Sequence, residues 1–188
     1  MIKKLLLLAT LIISLSAPIL AADNTGHFKL SLWDQAAFAI PNNPQVITGV
    51  DLGIGSYTHH ITGLQWDIMW AETHSLAGVS LAFGISKTIQ ATGLQWAFVT
   101  KSNNITGVQL GAANTTINLT GIQAGGFNTS LRSVSGVQVG LYNQASYIHG
   151  IQFGLVNYAK YIRGLQLGIF NIAENGFLPA MVFINGHF

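Results

Sequence analysis

Gly150-Ile-Gln-Phe-Gly-Leu-Val-Asn157 is followed fourteen residues later by Gly164-Leu-Gln-Leu-Gly-Ile-Phe-Asn171. The phrase can be traced back through most of the chain. Its opening glycine recurs at Gly49, Gly63, Gly78, Gly93, Gly107, Gly121 and Gly136, always 14 or 15 residues apart. Two places before almost every one stands an apolar residue, such as Ile47, Ile61, Leu76, Ile105 or Ile162; the exception is Ala91. Nine such returns define a repeat array.

Within each unit the hydrophobic period is two, which is the signature of a strand. One face takes three alternate apolar residues, for example Ile151, Phe153 and Leu155. Over nine units this face has 27 positions, none of them charged. The opposite face reads Ile148, Gly150, Gln152, Gly154, Val156. Asn114, Asn128, Asn143, Asn157 and Asn171 then end the strand in the last five units. Asparagine suits a turn because it tolerates left-handed backbone and hydrogen-bonds its own main chain. Glu72, Lys87, Lys101, Arg132, Lys160 and Glu174 fall in the residues that follow, so each unit reads as one strand and one turn.

Such a unit can be assembled as an antiparallel meander or as a parallel solenoid with one coil per repeat. The inner face is nearly palindromic about its glutamine, so it would match a neighbour even after reversal; this favours the meander. Composition narrows it further. Charged residues are 7% of the 188, against about 25% in ordinary soluble domains. A face of Gly and Gln backed by a wholly apolar face suggests shelter on both sides. The expectation is an all-β protein whose antiparallel meander closes into a small transmembrane-type β-barrel of about 10–12 strands, with a parallel β-solenoid as the alternative. About ten residues suit a tilted membrane strand, and closure would satisfy every edge.

The flanking segments agree. Residues 1–22 read as a secretory signal peptide: Lys3 and Lys4, an apolar run from Leu5 to Leu20, then Ala21-Ala22 before Asp23. Its removal would leave six cationic and six anionic side chains. Residues 23–46 supply an N-terminal strand, with Phe28, Leu30 and Leu32 on one face and Lys29, Ser31 and Trp33 on the other, and then a loop from Pro41 to Pro44. The repeats occupy 47–175, and 176–188 form a closing strand alternating through Ala180, Val182, Ile184, Gly186 and Phe188. This totals eleven strands; residues 35–40 could be a twelfth, or the degenerate unit at Gly78 could be irregular.

The repeated phrase and the Phe-ended final strand resemble bacterial surface-repeat proteins of spirochaetes and other Gram-negatives. The likeness is strongest from Ile105 to Asn175 and faint from Trp70 to Gln90. It implies an outer-membrane or cell-surface address after export. Outer-membrane lipid and the export and barrel-assembly machinery are the partners expected, any host or surface ligand is left open, and no enzyme activity is implied.

The residues themselves offer no cofactor site, no nucleophile–base pair and no paired carboxylates. Without cysteine there is no disulfide or thiolate metal site, and a formal charge of +2 gives no basic patch for nucleic acid. His59, His60 and His74 would lie at opposite ends of a meander and could converge on a metal only in a solenoid. Two groups stand out as candidates. Lys29, Asp51 and Asp67 interrupt the Gly/Gln face and form a lumenal charge group, either gating a pore or pairing to hold the first strands in register. Gln65, Gln95, Gln109, Gln123, Gln138, Gln152 and Gln166 form a lumenal belt, read as a hydrogen-bonded row rather than a binding site. Apolar residues at both ends of the inner face, Ile148 with Val156 and Ile162 with Phe170, predict a plugged interior, and Trp66, Trp70 and Trp96 predict interfacial anchors.

Overall fold

In a computed structural model the described residues are 25–33, 36–40 and 44–188. The signal-peptide reading of residues 1–22, Gln35, and most of the Pro41–Pro44 loop lie outside them. Among the described residues there is no helix. The strands are β1 (Thr25–Trp33), β2 (Ala36–Ile40), β3 (Val46–Ala173) and β4 (Ala180–His187). They form one open sheet in the order β2-β1-β3-β4. The closed barrel of 10–12 strands expected from the sequence is therefore not what is built.

Extended backbone runs without interruption through the 128 residues of β3. Drawn straight it would exceed about 400 Å at 3.3 Å per residue, so it must fold back on itself once per repeat. Burial shows how. In the repeat from Gly150 the buried residues are Ile148, Gln152, Asn157, Ala159 and Ile162. The parity of the inward set changes between Gln152 and Asn157 and again between Ala159 and Ile162. In a straight strand a one-residue slip would send the inner set to the other face; here each slip is a bend that keeps it inside.

The repeat glycine is the third device. All nine have positive φ, between 127° and 145°, a conformation that L side chains rarely adopt. A Cβ on Gly121 would also land on the carbonyl oxygen of Gly107, and one on Gly136 on that of Gly121. Glycine follows glycine down the array, each against its predecessor. Equivalent glutamines and asparagines are likewise in contact, 14 or 15 residues apart. Contact between equivalents at several points of the unit means that neighbouring repeats run in the same direction. The antiparallel meander is corrected on this ground: reversal would set each glycine against the far end of the next unit. The palindrome is real in the sequence, but stacking of identical residues satisfies side-chain amides just as well and needs no reversal.

Sheet ends are handled differently. β1 runs parallel to β3, pairing Lys29 with Asp51, while β2 lies antiparallel on β1. At the other end β4 lies antiparallel on Gly164–Ile172. Instead of closing a barrel, β4 forms an edge of the open sheet. Its expected alternation is broken, since Phe183 has φ 66° and is exposed while Asn185 is buried.

Candidate functional site

The interior is polar. Six of the predicted glutamines, Gln95 to Gln166, form a continuous ladder: Gln109 Nε2 donates to Gln95 Oε1 (3.0 Å), Gln123 to Gln109 (2.8 Å), Gln138 to Gln123 (2.7 Å), Gln152 to Gln138 and Gln166 to Gln152 (both 2.8 Å). Several spend their second N–H across the interior, as Gln152 does on Tyr158 O (3.2 Å) and Gln166 on Ile172 O (3.0 Å). Gln65 stands apart. Ser80 occupies the ladder position in the degenerate repeat, and Gln65 donates instead to Ser56 Oγ (2.8 Å) while accepting from Thr73 (2.8 Å).

A second ladder was hidden in the sequence. The asparagines read as strand-ending turn residues point inward and are almost fully buried. Asn114 Nδ2 donates to Asn128 Oδ1, Asn128 to Asn143, Asn143 to Asn157 and Asn157 to Asn171, all at 2.8 Å. They donate toward the C-terminus and the glutamines toward the N-terminus, so the two rows of amide dipoles oppose each other. Space for this row is made by the second glycine of the phrase: a Cβ on Gly140 would meet Asn128 Nδ2 at 2.5 Å. The first four repeats lack the asparagine. In those from Gly78 and Gly93 the second glycine is replaced as well, by Ala82 and Ala97, which pack with Ala71, and Thr100 stands in for the asparagine by donating to Asn114 Oδ1. This paired loss of Gly and Asn was legible in the sequence. Val156 and Phe170, expected to plug the ends of the inner face, instead sit outside it: Val156 is half-buried and Phe170 exposed. The longest buried apolar column runs Ile47, Ile61, Leu76 through Ile162, with a short row of Ala145, Ala159 and Ala173 beside it.

The three charged candidates gather in the first repeats, all buried. Lys29 Nζ lies 3.7 Å from Asp51 Oδ2 and donates to Thr58 Oγ1 (2.7 Å) and Tyr57 O (2.5 Å). Asp51 also accepts from Thr58 (2.6 Å) and Ser31 (3.1 Å). Desolvation pushes the Asp51 carboxyl up from its ordinary value, with Lys29 acting against it. Asp67 accepts from Ser56 (2.7 Å) through Oδ2, and its Oδ1 has no hydrogen-bond partner. Burial, reinforced by the nearby Asp51 charge and resisted by Ser56 and Lys29, raises the Asp67 carboxyl to about 7.

His60 and His74 come together, with ring centroids 6.2 Å apart, contrary to the expectation that their turns lie at opposite ends. Among the described residues no group of three or more His, Cys, Asp or Glu could hold a metal ion.

The exterior carries the other notable feature. The 27 apolar positions form an outward wall. Trp66 (46% exposed), Phe83 (58%), Phe98 (66%) and Phe153 (56%) stand on it uncovered. A monomeric surface seldom shows an apolar patch beyond about 300–600 Å². Nine repeats at about 4.8 Å and five residues of width at about 3.3 Å give a wall of roughly 700 Å². Comparison of the chain with family models, with curated proteins and with solved structures finds no match.

Proposed function

We propose that the chain is an exported, non-enzymatic β-solenoid of the bacterial cell envelope, a structural or adhesive module that holds one apolar wall in a fixed plane. Each repeat is one coil, and neighbouring coils are joined by backbone pairing and by the two amide ladders. The observation that carries this reading is that Gln bonds to Gln and Asn to Asn at a separation of 14 or 15 residues. Buried amides so satisfied make a dry, rigid interior with little apolar content. The large apolar side chains are consequently free to face outward, which an ordinary domain could not tolerate. Support for the envelope address comes from the leader-like residues 1–22 and from the likeness of the phrase to bacterial surface-repeat proteins.

Ala145 and Ala159 occupy equivalent buried positions in consecutive repeats, and the chain has no cysteine of its own. Neighbouring parallel strands bring equivalent Cα atoms to about 4.8 Å, within disulfide range. The double variant Ala145→Cys/Ala159→Cys is expected to form an intrachain disulfide on mild oxidation, read by mass spectrometry of the proteolysed chain. In a meander these positions lie at opposite ends of adjacent strands, and no such bond forms; its absence refutes the coil.

A further inference from the structure

We infer that the apolar wall is covered by a second copy of the chain, packed face to face with its repeats in reversed order. This rests on the coil reading above and adds the occupant. Three observations select it.

The wall's roughly 700 Å² is close to the ~800 Å² that each partner of a standard interface buries. The flank that precedes the repeat glycines also lacks the cations of a surface that lies on anionic lipid. The residue before each repeat glycine is exposed and is mostly threonine, as at Thr48, Thr62, Thr92, Thr106 and Thr120, with Arg163 the one formal cation of that column. A helix or sheet lying on anionic lipid surrounds its apolar face with Lys and Arg.

The size profile of the wall is the most specific observation. Counting repeats from Gly49, the fourth presents Trp96 and Phe98, and the sixth presents only Ala124 and Gly126 at the same places. Nothing fills the resulting dip: the chain atoms nearest to a Cβ built on Gly126 are the Ala112 carbonyl oxygen and carbon, at 3.0 and 4.0 Å. A two-fold axis lying in the wall along the strands, at the fifth repeat, reverses the order of repeats. It brings fourth against sixth, third against seventh and first against ninth, and leaves no repeat unmatched. Trp96 and Phe98 of each copy then enter the dip left by Ala124 and Gly126 of the other. An axis along the stack would instead set Trp96 against Trp96 and one dip against the other, with bulk against bulk at one level and a void two levels on. The reversed pairing is isologous and closed. Both partners share one repeat spacing, so ridge meets groove at the fourth and sixth repeats, while the second and eighth set Trp66 opposite Phe153, with the sheets about 10 Å apart.

The chain purified in mild detergent and exchanged into buffer is expected to have the mass of a dimer by light scattering. Mixed Trp96→Cys and Ala124→Cys chains should be joined by a short dithiol-reactive cross-linker whose span matches the sheet spacing of about 10 Å. Mixed Trp66→Cys and Ala124→Cys chains should be joined far less, because the second repeat faces the eighth. Ala124→Trp fills the dip and should weaken dimerisation at least about tenfold while leaving the β circular-dichroism spectrum unchanged. A monomer in buffer, or a monomer that floats with phosphatidylcholine vesicles, overturns the proposal. So does equally strong cross-linking of the single variant Trp96→Cys by the same reagent, which requires equal repeats to face each other. If the Ala145→Cys/Ala159→Cys bond forms and the dimer does not, the pairing alone is wrong. If that bond fails, the coil and the pairing fall together.

Discussion

At the scale of single residues, glycine at the head of each repeat is dictated twice, by backbone angle and by proximity. Gly121, with φ 127° and the Gly107 carbonyl where a Cβ would sit, admits no side chain without moving two repeats apart. Gly121→Ala is expected to destabilise by more than about 2 kcal/mol, combining backbone strain with the loss of a close contact; urea unfolding followed by circular dichroism reads this, and a neutral result would show that the stacking is misassigned. Asp67 gives a pH prediction. Its folded pKa of about 7 lies above the ordinary carboxylate value of 3.8, so between these values the folded chain holds a proton that the unfolded chain has released. Stability is then highest at the acid end and falls as pH rises from about 4 to about 7, by up to about 4 kcal/mol. Asp51 is shifted in the same direction. Asp67→Asn should flatten most of this slope and raise the melting temperature at pH 8, and an unchanged pH profile would place the titration elsewhere.

At the scale of elements, the two edges of the sheet are occupied by antiparallel strands, β2 and β4. An exposed parallel repeat would offer its unpaired N–H and C=O groups, and the end of each ladder, as a template for another chain. Reversed strands with register shifts interrupt that template. β4 is held by Asn185, which donates to Leu178 O (2.9 Å) over the bare Gly176, and by Phe177 N donating to Gly186 O (2.9 Å). Truncation after Asn175 is expected to expose the last repeat and produce large, light-scattering assemblies under conditions where the full chain is clear. Size-exclusion profiles unchanged by the truncation would remove the capping role. The alternation of Ala180, Val182 and Ile184 showed that a strand exists here; its pairing partner, and the left-handed Phe183 that skews it, depend on which surface was left open.

On the scale of the whole molecule, support is uneven along the stack. Both amide ladders run together only from Thr100 and Gln95 to Asn171 and Gln166. The earlier repeats rely on Ser80, Ser86, Gln65 and the charge group around Lys29, with a carboxylate oxygen of Asp67 left without a partner. On the coil reading repeats touch only their neighbours, so opening begins where the links are weakest. Hydrogen exchange should therefore be fastest between Gly49 and Gly93 and slowest between Gly107 and Gly164. Uniform protection across both regions would mean that the ladders contribute little.

The sequence by itself determined the all-β class, the period, and the side of each strand on which Gln65 to Gln166 and the 27 apolar positions lie, because alternation in a strand is a local consequence of backbone geometry. It also placed Lys29, Asp51 and Asp67 on one surface. What it could not determine was how one unit meets the next. Palindromic units satisfy neighbours run in either direction, and local periodicity does not register where its own parity slips, so Asn157 and Asn171 read as turn residues and Val156 and Phe170 as interior ones. Only the tertiary structure decided those points: equivalents stacked 14 or 15 residues apart, asparagines turned inward beside bare glycines, the sheet left open. The deciding interaction, one buried amide bonded to its own counterpart in the next repeat, exists only between units and leaves no trace within any one of them.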